Sequence, residues 1–278
     1  MKNKNNLAYL ILILTTIFWS GNFIVGKAAS TFQIPPFSLN FYRWFFAGLI
    51  LFPFTYKEIL NKKKYILENI GFFIILGITS ITIFNSIVYY SLYYTQVISG
   101  ILMISTIPVW IIFISSILNI EKTNIFQIIG VIFSLTGVIF IITKADLNLI
   151  KSLDFNKGDL SMVVAMFSWA VYSALLKSKK YEISQFALLQ VVIITGLIFL
   201  IPIYFIEMYL GHLIVLGKPF ILTLTYVVLF PGLAAFFFWI KGISLIGANR
   251  AGIFLHLMPI FGAAMAMIIF DEKFMYYH

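Results

Sequence analysis

The chain has 278 residues, of which 62% are hydrophobic and only 10% are charged. Soluble domains carry about a quarter charged residues, so this composition indicates a protein embedded in a lipid bilayer. Cysteine is absent, which excludes disulfides, thiol catalysis and cysteine-ligated metal clusters. The formal charge of +9 favours anionic lipid over nucleic acid as a partner, because no long polar segment exists to hold a nucleic acid.

Apolar stretches recur along the chain, each long enough to cross a bilayer as a helix of about 20 residues. The first stretch is too long for the hydrophobic region of a signal peptide, so we expect it to remain as the first helix. The sequence therefore predicts an all-α integral membrane protein with nine transmembrane helices near residues 7–27, 38–56, 69–91, 97–119, 125–143, 159–177, 184–206, 219–240 and 248–270.

Lysine and arginine are about twice as numerous on the flanks that share a side with the N-terminus as on the opposite flanks. This asymmetry predicts a cytoplasmic N-terminus and, with nine spans, a C-terminus outside. We expect a multi-pass protein of the cell (inner) membrane, without a soluble domain.

The chain repeats itself at an offset of about 150 residues. The stretch "IFWSGNFIVGK" (17–27) aligns with "FSWAVYSALLK" (167–177), and "PVWIIFISSILNIEK" (108–122) aligns with "PIFGAAMAMIIFDEK" (259–273). An odd number of spans separates the equivalent stretches, so the two halves are predicted to be inverted relative to each other, as in many secondary transporters. The predicted repeats are 1–143 with helices 1–5 and 159–278 with helices 6–9, joined by a loop at 144–158.

Four passages carry a family resemblance: "FWSGNFIVGK", "FYRWFFAGLIL", the passage from Pro108 to Glu121 and "FPGLAAFFFWIKGISLIGANRAGIFLHLMPIFGAAMAMIIFDEK" (230–273). The sequence resembles the EamA family of the drug/metabolite transporter superfamily. The resemblance implies two inverted repeats of five helices and, for many members, export of amino acids or other small metabolites. His256 and Asp271 stand where the family more often has an amide and a glycine, and we expect helix 10 to be absent.

Ionisable groups inside a membrane are functional candidates, but all ten Asp and Glu residues fall in loops or near span ends. This distribution is unfavourable to a proton relay or sodium site built on buried acids. Three scattered histidines without an acidic cluster make no recognisable metal site. We predict no metal, no cofactor and no catalytic residue.

Aromatic residues with polar neighbours at helical spacing are the substrate-binding candidates, because apolar walls with a few polar groups suit amphipathic metabolites such as amino acids. Trp19 and Trp169 stand out as equivalent positions of the two repeats. Such pairs also arise by chance or in interfacial belts, and a histidine inside a span can be satisfied by neighbouring helices. The candidates are Trp19, Asn22, Asn85, Tyr89, Trp169, Tyr172, Trp239 and His256.

Charged residues near the span ends are expected at a cavity mouth or at the membrane interface, where long side chains reach the headgroups. They are Lys27, Arg43, Lys177 and Arg250. For Arg43, contact with a substrate carboxylate or a helix C-terminus is the alternative to interfacial anchoring. Pro108 and Pro259 lie near span centres and predict helix bends that line the cavity and flex.

The sequence thus predicts a transporter that exports or exchanges small metabolites by alternating access. A non-transporting or truncated membrane subunit is the first alternative, and an integral-membrane enzyme is disfavoured since no acid/base or metal constellation is recognisable. The expected partners are a small-molecule substrate and the lipid bilayer, and a homodimer is a candidate assembly.

Overall fold

The computed structural model describes residues 2–121, 125–126, 129–130, 132–133, 136 and 156–271, and these ranges contain helices and no strand. The helices are α1 (Lys2–Thr31), α2 (Pro36–Asn61), α3 (Lys63–Glu68), α4 (Ile70–Ser91), α5 (Val97–Ile117), α6 (Lys157–Lys177), α7 (Gln185–Tyr209), α8 (Lys218–Ile246) and α9 (Ala248–Phe270). Within the described ranges, seven helices are long and apolar enough to cross a membrane, which confirms an all-α membrane protein.

These seven helices coincide with seven of the predicted spans. Helix α2 covers the predicted span 38–56 and is also long enough to cross a bilayer, but it is not one of these seven helices. The predicted span 125–143 lies largely outside the described residues, so nine spans remain a prediction, as do the boundaries of the two repeats.

Irregular segments recur at equal spacing in the two halves. Helix α4 contains a π-helical segment at Ile78–Phe84, and α8 contains one at Val228–Ala234, 150 residues later. Helix α5 is interrupted at Ser105 and Thr106, while α9 passes through a 3₁₀ turn at Phe254–Leu257. π-helical turns are rare, and these two lie at the same offset as the sequence repeat.

Each half packs its first helix into the other half. Helix α1 contacts α8 and α9, while its counterpart α6 contacts α4 and α5. Helices α2 and α7, at equivalent positions of the two predicted repeats, also pack against each other. The core is therefore shared between the halves.

Glutamates at the ends of α2 and α7 cap each other's N-termini. The Glu58 carboxylate accepts hydrogen bonds from Ser184 N and Ser184 Oγ, both at 2.6 Å, at the start of α7. The Glu207 carboxylate accepts from Phe37 N at 3.2 Å and from Ser38 N and Oγ at 2.6 Å, at the start of α2. These contacts require α2 and α7 to run antiparallel.

A third glutamate makes a similar contact. Glu121 Oε2 accepts a hydrogen bond at 2.9 Å from Asn249 N in the first turn of α9. The first N–H groups of a helix lack partners within it, and an anion there also interacts favourably with the helix dipole. Helix starts in one half are thus satisfied by carboxylates from the other half.

Glycines let α4 and α7 approach closely. A Cβ at position 77 would lie 2.5 Å from Gly196 N, closer than real side chains come to backbone. The near contact is accompanied by a hydrogen bond of 2.8 Å from Thr82 Oγ1 to Gly196 O. Small residues with such interhelical bonds are typical of membrane helix interfaces.

The outward faces of the helices are strongly apolar. Large side chains such as Phe54, Phe205, Ile260 and Ile268 are exposed at the molecular surface. Exposed apolar area of this extent is unfavourable in water and fits contact with lipid.

We predict that Glu207→Ala destabilises the protein more than Glu58→Ala. Loss of the buried Glu207 carboxylate leaves the N–H groups of Phe37 and Ser38 without an acceptor, at about 0.5–2 kcal/mol for a lost cap. Glu58 is partly accessible, so water can replace it. Thermal melting of the purified variants measures both, and equal losses would contradict this explanation.

Gly77→Ala should lower the melting temperature, because the new methyl group meets the backbone of α7. Overpacking of this kind costs about 1–3 kcal/mol. Gly71→Ala is the matched control in the same helix, since a methyl group at position 71 would have no neighbouring atom within 4 Å. An equal response of the two variants would show that the α4–α7 contact is not tight.

Candidate functional site

A small central cavity of about 20 Å³ lies between helices of the two halves. It is large enough for about one water molecule. Side chains from α1, α4, α5, α6 and α9 line it, among them Trp19, Asn22, Phe84, Asn85, Trp169 and Met258. Four of the predicted substrate-binding residues, Trp19, Asn22, Asn85 and Trp169, therefore meet at one place.

Aromatic rings from both halves pack around this cavity. The rings of Trp19 and Trp169 meet edge to face at a centroid distance of 5.1 Å. Trp239 lies 5.3 Å from Trp19, and Tyr172 lies 5.0 Å from Trp169. Phe84 contacts Trp169 at 4.5 Å. Two further candidates, Tyr172 and Trp239, thus belong to the second layer of the same cluster.

The polar atoms of these rings are unequally satisfied. Trp19 Nε1 donates to Pro231 O and Trp239 Nε1 donates to Ser173 Oγ, both at 3.2 Å. Trp169 Nε1 and the Tyr172 hydroxyl are buried and have no hydrogen-bond partner in the described part of the chain. Buried polar atoms are usually bonded, so these two are candidates for bonding a ligand or water.

Arg43 organises a polar chain directly behind the cavity wall. Its Nη1 donates to Asn85 Oδ1 and to the Tyr89 hydroxyl, both at 2.8 Å. The Tyr89 hydroxyl donates in turn to Asn22 Oδ1 at 2.8 Å. The guanidinium carbon lies 4.8 Å from the centroid of the Trp44 ring, in a cation–π arrangement. The chain connects the cation to two residues that line the cavity, Asn22 and Asn85.

Interfacial anchoring of Arg43, one of the sequence-based expectations, is wrong in this structure. The side chain is fully buried, with 0% of its surface exposed. Within the described ranges the single ion pair joins Lys62 to Glu182, so Arg43 has no carboxylate partner there. Burial of a charge without a counter-ion is costly, and here neutral oxygens and aromatic faces provide the compensation.

Polar side chains also satisfy backbone carbonyls in the first π-helical segment. Asn40 Nδ2 donates to Ile81 O at 2.9 Å, and Asn85 Nδ2 donates to Ser80 O at 2.6 Å. Pro231, at the position equivalent to Ile81, receives the bond from Trp19. Both π-helical segments therefore face the central cluster, where an irregular backbone is tolerated because protein covers it.

The other charged candidates lie at the periphery. Lys27 Nζ donates to Leu92 O and Thr95 O, both at 2.9 Å, just after the C-terminus of α4. Lys177 and Arg250 are exposed. Lys177 lies at the C-terminus of α6 and borders a cavity there. Lys27 points inward and binds backbone carbonyls, whereas the sequence predicted that it would extend to the lipid headgroups.

His256 does not join the cavity. The His256 side chain is exposed, whereas its neighbours Leu255 and Met258 line the cavity wall. The expectation of a cavity-lining histidine is therefore wrong for this conformation. Pro108 and Pro259 each lie just after an irregular turn, in α5 and α9 respectively, and flexing at these turns stays a prediction.

Two larger cavities lie at opposite ends of the antiparallel α2–α7 pair. One, of about 690 Å³, is bordered by Phe37, Tyr93 and Glu207, and the other, of about 680 Å³, by Lys177, Lys179 and Gln185. Burial, with a smaller effect of Glu207, raises the pKa of Tyr93 to about 12, so its hydroxyl remains protonated and donates to Ile34 O.

A profile of the EamA-like transporter family matches residues 6–143 and 156–278. The chain belongs to this family. An uncharacterized transporter of Archaeoglobus fulgidus is 24% identical over 97% of this chain and 91% of its own length. In Bacillus subtilis, the uncharacterized transporters YyaM and YetK are each 24% identical, covering 94% and 98% of this chain and 84% and 82% of their own lengths.

This EamA-like protein is accordingly a multi-pass membrane transporter. Its central cluster contains residues that the sequence analysis did not select, namely Asn40, Trp44, Phe84 and Phe236. Asn40 and Arg43 are three residues apart and so share a helix face. This spacing could have identified Asn40 as a neighbour of the candidate Arg43. Phe236 carried no such signal, because one phenylalanine among 30 cannot be singled out by type.

Asn85→Leu is predicted to destabilise this EamA-like transporter, because it removes an acceptor of Arg43 and the donor to Ser80 O. The expected loss is about 1–3 kcal/mol for a buried polar group left unpaired. Thermal melting in detergent measures it. Ser161→Ala serves as control, because Ser161 bonds only its own helix at an exposed position, and an unchanged melting temperature for Asn85→Leu would contradict the Arg43 network.

Proposed function

We propose that the protein exports or exchanges amino acids or related amphipathic metabolites across the cell (inner) membrane by alternating access. The observation that carries the proposal is the central cavity, whose walls come from both halves and bring Trp19 of one half against Trp169 of the other. Aromatic walls with a few polar groups suit an amphipathic ligand.

The proposed cycle moves one half against the other around this centre. The cavities at the two ends of the α2–α7 pair support such a cycle, because each would connect with the centre when the halves tilt in one direction. The breaks before Pro108 and Pro259 are the proposed points of flexing.

The orientation in the membrane follows the predicted charge asymmetry. With the N-terminus inside, the end of the molecule that contains Lys177, Lys179 and Lys180 faces the cytoplasm. The end that contains Tyr93 and Glu207 then faces outward. Export would pass from the basic opening to the opposite one.

Counterflow in proteoliposomes tests the function directly. Purified protein is reconstituted with an unlabelled amino acid inside, and uptake of the same labelled amino acid is followed for a panel of aliphatic, aromatic and polar side chains. We expect saturable uptake of at least one amphipathic member above that of empty liposomes. Uptake equal to empty liposomes across the panel would reject amino acids as the substrate class.

Trp19→Ala and Trp169→Ala should each lower transport by about tenfold or more, because each removes an aromatic wall of the site. Full truncation can also destabilise the fold, so Trp19→Phe and Trp169→Phe are tested in parallel. The milder variants should change KM and the order of preference among substrates while keeping the normal amount of protein in the membrane.

Trp110→Ala is the matched control. Trp110 is partly buried and contacts Phe113 and Phe167, away from the central cavity. Its loss should leave KM unchanged. If the Trp19 and Trp169 variants transport like this control at equal expression, the two rings are packing residues and the site lies elsewhere.

A further inference from the structure

The most unusual group in this protein is the buried guanidinium of Arg43. Arginine stays charged in proteins, and this one has no exposed surface. Both hydrogen-bond acceptors of its Nη1 are neutral, and its Nε is buried without any acceptor in the described part of the chain. The N–H donors of the Arg43 guanidinium match the geometry of a planar anion, and in this structure only some of them are bonded.

Arg43 lies directly behind the cavity wall, bonded to a residue that lines it. Its partner Asn85 lines the central cavity, and Tyr89 connects it with Asn22 on the same wall. On the opposite side, the guanidinium faces the second half, where a Cβ at Gly232 would lie 3.5 Å from Nε and the Phe236 ring lies 6.0 Å away. The cation thus sits at the junction of the two halves.

We propose that the transported metabolite carries a carboxylate and that Arg43 is its counter-ion when it is bound. This inference rests on the proposed transport function. Asn85 and Tyr89 hold the guanidinium in the closed state with neutral oxygens, and the substrate carboxylate replaces at least one of them as acceptor. A carboxylate is planar and accepts two parallel bonds, which suits the Nε and Nη donors.

A monoanion fits better than a phosphate ester. Arg43 is the one cation bonded to the cavity wall among the described residues, and its surroundings are mainly aromatic: Trp44, Tyr89 and Phe236. A second negative charge would remain uncompensated in this setting, at considerable cost. The remaining donors near the wall, Trp169 Nε1 and the Tyr172 hydroxyl, are neutral.

The test compares each labelled amino acid of the counterflow panel with its primary amide, which keeps the side chain and removes the negative charge. Wild-type protein should prefer the acid by about tenfold or more. Arg43→Gln should abolish this preference, and Arg43→Lys should restore part of it. Lys57→Gln removes a positive charge from an exposed position of the same helix and should leave the preference unchanged.

A second variant changes the acceptor of Arg43. Asn85→Asp gives Arg43 an internal carboxylate and removes the donor to Ser80 O, and at a matched amount of folded protein the preference for acids over amides should fall. Thermal melting with added acids and amides gives a readout without transport: acids should stabilise the wild type and fail to stabilise Arg43→Gln.

The outcomes distinguish this inference from the function it rests on. Transport of acids and amides alike by the wild type would overturn the carboxylate site and leave a transporter. Transport of phosphate esters but not carboxylates would overturn it in favour of a different anion. If no acid in the panel is transported or stabilises the protein, both the amino-acid function and the carboxylate site are rejected.

Discussion

The structure depends on one constraint, the need to satisfy polar backbone groups inside the protein where lipid offers no hydrogen bonds. Regular helices do this for most residues, but helix starts and π-helical turns leave N–H and C=O groups open. Here the partners come largely from the opposite half: Glu58 binds the start of α7, Glu207 binds the start of α2, and Trp19 binds Pro231 O. Without the other half, each half would leave polar backbone groups unpaired inside the bilayer.

This mutual completion also determines where function can reside. Since α1 packs on α8 and α9 and α6 packs on α4 and α5, the irregular segments of both halves converge on one centre. The aromatic cluster fills that centre, leaving a cavity of only about 20 Å³. The irregular backbone segments and the candidate site therefore lie at the same place. Because both halves line the site, a movement of one half relative to the other changes its shape.

The sequence was sufficient to predict the seven apolar helices found in the described ranges and to select Trp19 and Trp169, because hydropathy and an internal repeat are properties of the chain alone. It failed where a side chain's surroundings are determined by other helices. Arg43 near a span end has the sequence pattern of an interfacial anchor, yet the Trp44, Asn85 and Phe236 side chains enclose it. His256 inside a span was expected in a cavity but lies on an exposed face of its helix.

The contrast between Arg43 and the buried acids has a mechanistic consequence. Glu207 and Asp159 are buried near helix ends and bonded to Ser38 and Thr95, respectively, so they belong to the framework that holds the helices together. Arg43 lies beside the cavity, is bonded to neutral groups and is next to the junction of the halves. A substrate anion that binds there would contact both halves at once, and its release would return the guanidinium to Asn85 and Tyr89. The same exchange of acceptors would thus couple occupancy of the site to the relative position of the halves.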